Sequence, residues 1–80
     1  MKNGVELQTG AVHRLRFIET LLVEYGFYNR GTGALYFGVS IQQASNDLAE
    51  YMRLAPANVI YNKSTKRYER TGDFKPVWVD

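Results

Sequence analysis

Apolar residues recur along the first third of the chain at the spacing of a helix. Val12, Leu15, Ile18, Leu22 and Tyr25 follow one another at intervals of three, three, four and three, and Phe17 and Leu21 widen the stripe. This period predicts an amphipathic helix with Arg14, Arg16, Glu19 and Glu24 outside the main stripe. Thr9 is expected to cap its start and Gly26 to stop it, leaving Met1 to Gln8 as a loose lead-in. Phe27 and Tyr28 suit a short extended piece. Asn29 then suits the cap of a second helix running to about Phe37, anchored by Leu35 and Phe37, with Ala34 allowing close contact and Gly38 ending it. Gly31 and Gly33 each weaken that helix by about 1 kcal/mol relative to alanine.

Ser40 opens a third helix. Its hydroxyl can accept the Gln43 backbone N–H while the Gln43 side chain reaches back, a capping box. Ile41, Ala44, Leu48 and Tyr51 follow at helical spacing as the expected buried face. Gln42, Gln43, Ser45, Asn46 and Glu50 fall outside it, and Pro56 bars continuation far beyond Leu54. Two β-like runs, Val59 to Tyr61 and Arg67 to Glu69, flank the turn Asn62-Lys63-Ser64-Thr65 and predict a hairpin. From Phe74 the chain stays apolar almost to its last residue. Residues 71–80 are therefore expected to begin a linker to an absent sensor domain of a longer protein.

Composition narrows the classes. Eighty residues make a single domain, and 45% apolar content with 14% aromatics supports a core. There is no cysteine, so no disulfide framework or thiolate metal site can stabilise it. One histidine, His13, and no standout carboxylate pair argue against an enzyme or a metal centre, and Gly31-Thr32-Gly33 lacks the length and lysine of a phosphate loop. No cofactor is expected. No run approaches the ~20 apolar residues of a membrane span, and a cytoplasmic protein without membrane partners is expected. The net charge of +2 is small, but Arg53, Lys63, Lys66, Arg67 and Arg70 stand against Glu69 alone in one stretch. Such a patch suits a polyanion, and equally a solvated hairpin.

The order helix, helix, glycine corner, helix, hairpin defines an α+β winged helix-turn-helix. The short link Phe37-Gly38-Val39-Ser40 forces the third helix across the second, with its polar face outward. Gly38-Val39-Ser40 with Ala44-Ser45-Asn46-Asp47-Leu48 resembles the recognition-helix signature of DeoR-type winged helices. Arg14-Leu15-Arg16-Phe17-Ile18-Glu19, Asn29-Arg30, Gln43-Ala44-Ser45, Asp47-Leu48-Ala49-Glu50-Tyr51, Leu54-Ala55-Pro56 and the Tyr61 to Tyr68 hairpin carry a wider likeness. They resemble the N-terminal domain of WYL-domain regulators, especially the subgroup encoded beside bacterial phage-defence systems. The resemblance implies a repressor that reads double-stranded DNA, as a homodimer on an inverted-repeat operator, with this unit alone pairing weakly. Asn46 stands where the family commonly has arginine, which removes a charge from the expected DNA face.

Gln42, Gln43 and Asn46 are the candidate base readers, since side-chain amides can bond bidentately to adenine. A polar face that is merely solvated is the plainer reading. Ser40, Ser45, Arg30, Lys63, Lys66 and Arg67 are candidate contacts to the DNA backbone, which position without reading sequence. Arg14 and Arg16 are weaker candidates. Asp47 is expected to pair with a nearby arginine and fix the third helix. Tyr25, Tyr28, Tyr36 and Tyr51 could stack on single strands, but their helical placement favours core packing. From another class, a winged helix that docks proteins would leave the polar face without a DNA role and make the apolar C-terminal tail the contact site.

Overall fold

Among the described residues the chain forms three helices and a three-stranded antiparallel sheet, as the α+β expectation requires. The computed structural model describes residues 2–78, with side-chain surroundings from Gly10 onward; Met1, Val79 and Asp80 lie outside the described residues. Helix α1 spans Lys2–Tyr25, α2 spans Arg30–Phe37 and α3 spans Ile41–Leu54. Strands β1 (Phe27–Tyr28), β2 (Val59–Asn62) and β3 (Arg67–Arg70) lie in the order β1-β3-β2.

Two boundaries differ from the sequence expectation. The lead-in is helical from Lys2, so Thr9 is an interior residue and not a cap. Lys, Glu, Leu and Gln are good helix formers, and extending an existing helix costs far less than nucleating one. At the other end, the segment expected to start a linker folds back on the domain. Phe74 and Trp78 pack against the core made by Leu15, Ile18, Leu22, Tyr28, Leu48, Tyr51, Ala55 and Val59.

A buried carboxylate holds that return. Glu19 is fully buried, although the apolar stripe left it on the outer side of α1. It accepts hydrogen bonds from the Tyr51 hydroxyl at 2.8 Å and from the Val77 and Trp78 backbone N–H groups at 2.6 and 2.7 Å. Asn58 extends the arrangement. Its Nδ2 donates to the Tyr51 hydroxyl at 3.1 Å and to the Lys75 carbonyl at 2.8 Å, and its Oδ1 accepts the Lys75 N–H at 2.9 Å. Residues 75–78 are thus strapped across α1 and α3 by side chains that mimic a strand partner.

Helix α2 is capped as expected. Asn29 Oδ1 accepts the Gly31 N–H at 2.7 Å. Leu35 does not anchor it: the side chain is 86% exposed. The close approach instead uses Gly33, which is buried over the Tyr28 ring. A Cβ there would lie 1.9 Å from the Tyr28 hydroxyl oxygen, a distance the buried ring cannot open cheaply. Phe37 does pack, edge-on to Phe17 at 5.2 Å, while Tyr36 stacks on Phe17 at 4.5 Å although most of it stays exposed. Tyr28 and Tyr51 are core, and Tyr25 is exposed.

Two outcomes follow for stability. Gly33→Ala should destabilise by about 1–3 kcal/mol through overpacking, reversing the ~1 kcal/mol gain that helix propensity alone would give. Part of that cost should vanish in a Tyr28→Phe background, where the ring carbon Cζ still lies 3.1 Å from the added Cβ, and a double-mutant cycle in urea measures it. Tyr51→Phe should cost about 1–3 kcal/mol by taking a donor from the Glu19 carboxylate, with melting lowered by ~4–8 °C per kcal/mol. A melting point unchanged by Tyr51→Phe would refute that weight.

Candidate nucleic-acid interface

The corner between α2 and α3 is three residues long, and its chemistry is local. Gly38 adopts the left-handed region (φ 67°, ψ 34°), which costs a residue bearing a Cβ about 1 kcal/mol or more. Its N–H and that of Val39 both donate to the Ala34 carbonyl, the latter at 3.0 Å. Ser40 is extended, and its Oγ accepts the Gln43 N–H at 3.0 Å. Half of the expected capping box forms.

The other half does not. The Gln43 side chain turns away from Ser40, and its Nε2 donates to Asp47 Oδ1 at 2.9 Å. A carboxylate one turn ahead offers this amide a charge-assisted bond, which outcompetes the neutral cap. The second Asp47 oxygen accepts Arg14 Nε at 2.7 Å, so the buried carboxylate ties α3 to α1 as the sequence suggested. Burial, and secondarily the Asp47 charge, push the Tyr28 phenol up to about 12.

On the outer face of α3, Gln42 Nε2 donates to Asn46 Oδ1 at 3.1 Å, with both residues exposed. Arg30 Nη1 donates to Ser45 Oγ at 2.9 Å, bridging the first turn of α2 to α3. Ser40, Gln42, Gln43, Ser45 and Asn46 therefore share the leading half of α3, and Arg30 joins them. Ile41, expected on the buried face, is 53% exposed. It occupies the first helical position, where the chain has just turned the corner and the core has not yet begun. The buried face is Ala44, Asp47, Leu48 and Tyr51.

The hairpin β2–β3 forms as expected, with Tyr61 opposite Tyr68 and ring centroids 4.8 Å apart. Its turn is ordered by Asn62, whose Oδ1 accepts the Ser64 and Thr65 N–H groups at 2.8 and 3.2 Å. Asn62 Nδ2 donates to Glu69 Oε1 and Thr65 Oγ1 to Glu69 Oε2, both at 2.9 Å. These bonds, the Asn62 amide first, hold the Glu69 carboxyl below its usual range.

The three wing cations do not behave alike. Lys63 and Lys66 are exposed, without a side-chain partner among the described residues. Lys66 sits at φ 59°, and its backbone N–H closes the turn on Asn62. Arg67 is half-buried. Its guanidinium lies 4.0 Å from the Phe27 ring centroid and 3.4 Å from Glu69 Oε2. It joins β3 to β1 where the sequence reading expected it to reach a phosphate. Two other cations of the basic stretch are likewise engaged. Arg53 pairs with Glu50, and Arg70 reaches the Val23 carbonyl at 3.3 Å.

Sequence reasoning gave Asp47 a nearby arginine as partner, which the structure identifies as Arg14, but missed Glu19, Asn58 and the role of Gly33. A carboxylate one position from Ile18 and three from Leu22, both in the apolar stripe, was the available signal. Among the described residues no group of three or more His, Cys, Asp or Glu could hold a metal ion, and no helix is long and apolar enough to cross a membrane.

A tight helix corner followed by a hairpin on the same small sheet is the geometry of a winged helix-turn-helix domain. The chain belongs to the family described as the BrxR transcriptional regulator winged helix-turn-helix domain, which matches residues 10–80. It is similar to the DNA-binding transcriptional repressor CapW of Escherichia coli (strain KTE188), 43% identical over 70 residues that cover 88% of this chain and 23% of that relative. The protein of the same name from Pseudomonas aeruginosa is 39% identical over 69 residues, covering 86% of this chain and 23% of the relative. That from Stenotrophomonas maltophilia is 36% identical over 72 residues, covering 90% and 24%. The chain thus spans about a quarter of the length of the curated relatives it matches. These matches bear out the resemblance to the N-terminal domains of WYL-domain regulators.

Proposed function

We propose that this chain binds double-stranded DNA sequence-specifically as the reader domain of a transcriptional repressor. The observation that carries the reading is the leading half of α3. It projects beyond the Gly38 corner with Gln42 and Asn46 exposed, while Arg14, Asp47 and Tyr51 fix the opposite side of the helix. A helix held so firmly on one side can enter a major groove without losing its register. The Ser40 to Tyr51 segment supplies base contacts, and Lys63 and Lys66 on the wing meet flanking phosphates. Occupancy of a promoter by such a unit blocks transcription. The names of the similar proteins support this reading, and a DNA-bound regulator acts in the cytoplasm of a bacterium.

The functional unit on DNA is a homodimer on an inverted repeat. One recognition helix covers too few base pairs to select a site among ~10⁶–10⁹ competitors. Two copies spaced by one helical turn, ~34–36 Å, remedy this. The exposed Leu35 and Tyr36 on α2 favour a second use of the domain, as a surface that docks another protein.

Binding to random duplex DNA at low salt tests the central reading, and no binding would leave the docking reading in its place. Neutralising Lys63 and Lys66 together should reduce the slope of log K against log salt by about two units, one per phosphate contact. Arg67→Ala should instead lower thermal stability, with less change in slope, because its guanidinium is committed to Phe27 and Glu69. An inverted repeat selected from a random library should bind this chain more tightly than a lone half-site does. Equal affinity for one and two half-sites, titrated by fluorescence anisotropy, would exclude the dimer.

A further inference from the structure

The amide of Gln43 is ambiguous in sequence, because a glutamine can offer a base either its oxygen or its nitrogen. Here the choice is made by Asp47. An ion-paired carboxylate only accepts hydrogen bonds, and Asp47 already takes Arg14 on Oδ2 at 2.7 Å and Gln43 Nε2 on Oδ1 at 2.9 Å. Turning the amide over would set Gln43 Oε1 against that carboxylate, a like-polarity contact with no donor between them. The nitrogen is therefore pinned inward. The oxygen has no partner among the described residues and is not buried. It sits at the third position of α3, in the turn that leads the helix into a groove.

Resting on the DNA-reading function proposed above, we infer that Gln43 recognises an exocyclic amino group, the N6 of adenine or the N4 of cytosine, through its oxygen. Asp47 and Arg14 are positioning residues: they touch no base and set the polarity of the one that does. The relay begins on α1, so a residue of the first helix decides what the third one reads. Gln42 and Asn46 have no such lock. Their bond is amide to amide, and either group can turn.

The test uses this chain and duplexes carrying its selected site. Gln43→Met, which keeps length and helix propensity, identifies the base pair that Gln43 contacts as the one whose substitution no longer matters. In that pair the exocyclic amino group is removed by placing purine for adenine, or 2-pyrimidinone for cytosine. Separately, the N7 acceptor is removed with a 7-deaza purine. Loss of the amino group should weaken wild-type binding on the order of tenfold and leave Gln43→Met nearly unchanged. Loss of N7 should cost the wild type less.

Asp47→Asn should move the sensitivity. Arg14 then keeps the Asn oxygen, the Asn amide nitrogen donates to Gln43 Oε1, and the Gln43 nitrogen faces the groove, making binding depend on N7. Circular dichroism confirms that each variant is folded, and Gln43→Met alone decides the matter if Asp47→Asn is not. A wild type more sensitive to N7 than to the amino group overturns the inference while leaving DNA reading intact. So does a selected site with no pair dependent on Gln43. A chain that retains no duplex DNA overturns both.

Discussion

The fold depends on a carboxylate that has been taken out of water. Burying an isolated carboxylate costs many kcal/mol, and only donors converging on it make the burial tolerable. Glu19 collects one from α3, the Tyr51 hydroxyl, and two from the returning chain, the Val77 and Trp78 N–H groups. The donors come from two distant parts of the sequence, so these bonds form together only when α1, α3 and residues 75–78 are all in place. Burial pushes the Tyr51 phenol well above its ordinary range. For a domain this small, with limited apolar area to bury, such an arrangement adds specificity of packing to the hydrophobic term.

Seen from α3, Glu19 is one of two clamps. Tyr51 is held near the C-terminal end of the helix and Asp47 one turn earlier, both by residues of α1. The polar ties across the α1–α3 seam therefore come from its acidic, basic and phenolic groups, while Leu15, Ile18, Leu22 and Leu48 supply the apolar filling. Helix α2 is set differently. It has no comparable ion pair and relies on close approach, with Gly33 seated on the Tyr28 ring and Phe37 edge-on to Phe17. Gly33 is thus a contact that happens to be helical, and its low helix propensity is offset by that packing.

What could be read from the sequence was what is encoded locally. The caps at Asn29, Gly38 and Ser40, the third helix and the hairpin all follow from residues within a few positions of one another. The errors are those of periodicity. A stripe tells which residues share a face, but not whether a neighbour covers it, so Leu35 and Ile41 were assigned to a core that does not reach them. Glu19 failed in the opposite direction. Its burial requires partners 32, 58 and 59 positions away, and no local pattern reports such pairs. Of the site, Gln42 and Asn46 emerge exposed on the expected helix, whereas the lock on Gln43 was visible only once Asp47 and Arg14 were seen in contact.

The same distinction applies to charge. Counted along the sequence, the stretch from Arg53 to Arg70 is a basic patch; traced in space, most of it is spent on internal contacts. Arg53 is paired with Glu50, Arg67 lies against Phe27 and Glu69, and Arg70 closes on the end of α1, which leaves Lys63 and Lys66 unpartnered on the wing. Because non-specific affinity rises with each phosphate neutralised, on the proposed function two wing lysines would give one copy only a weak sequence-independent hold. On that same proposal selectivity would fall to the amides of α3 and to the presence of a second copy, neither being masked by a strong background of phosphate binding. An arginine at position 46 would change that balance by adding a charge to the helix itself. With asparagine there, the proposed discrimination rests on hydrogen-bond polarity, which at Gln43 is set by its contact with Asp47.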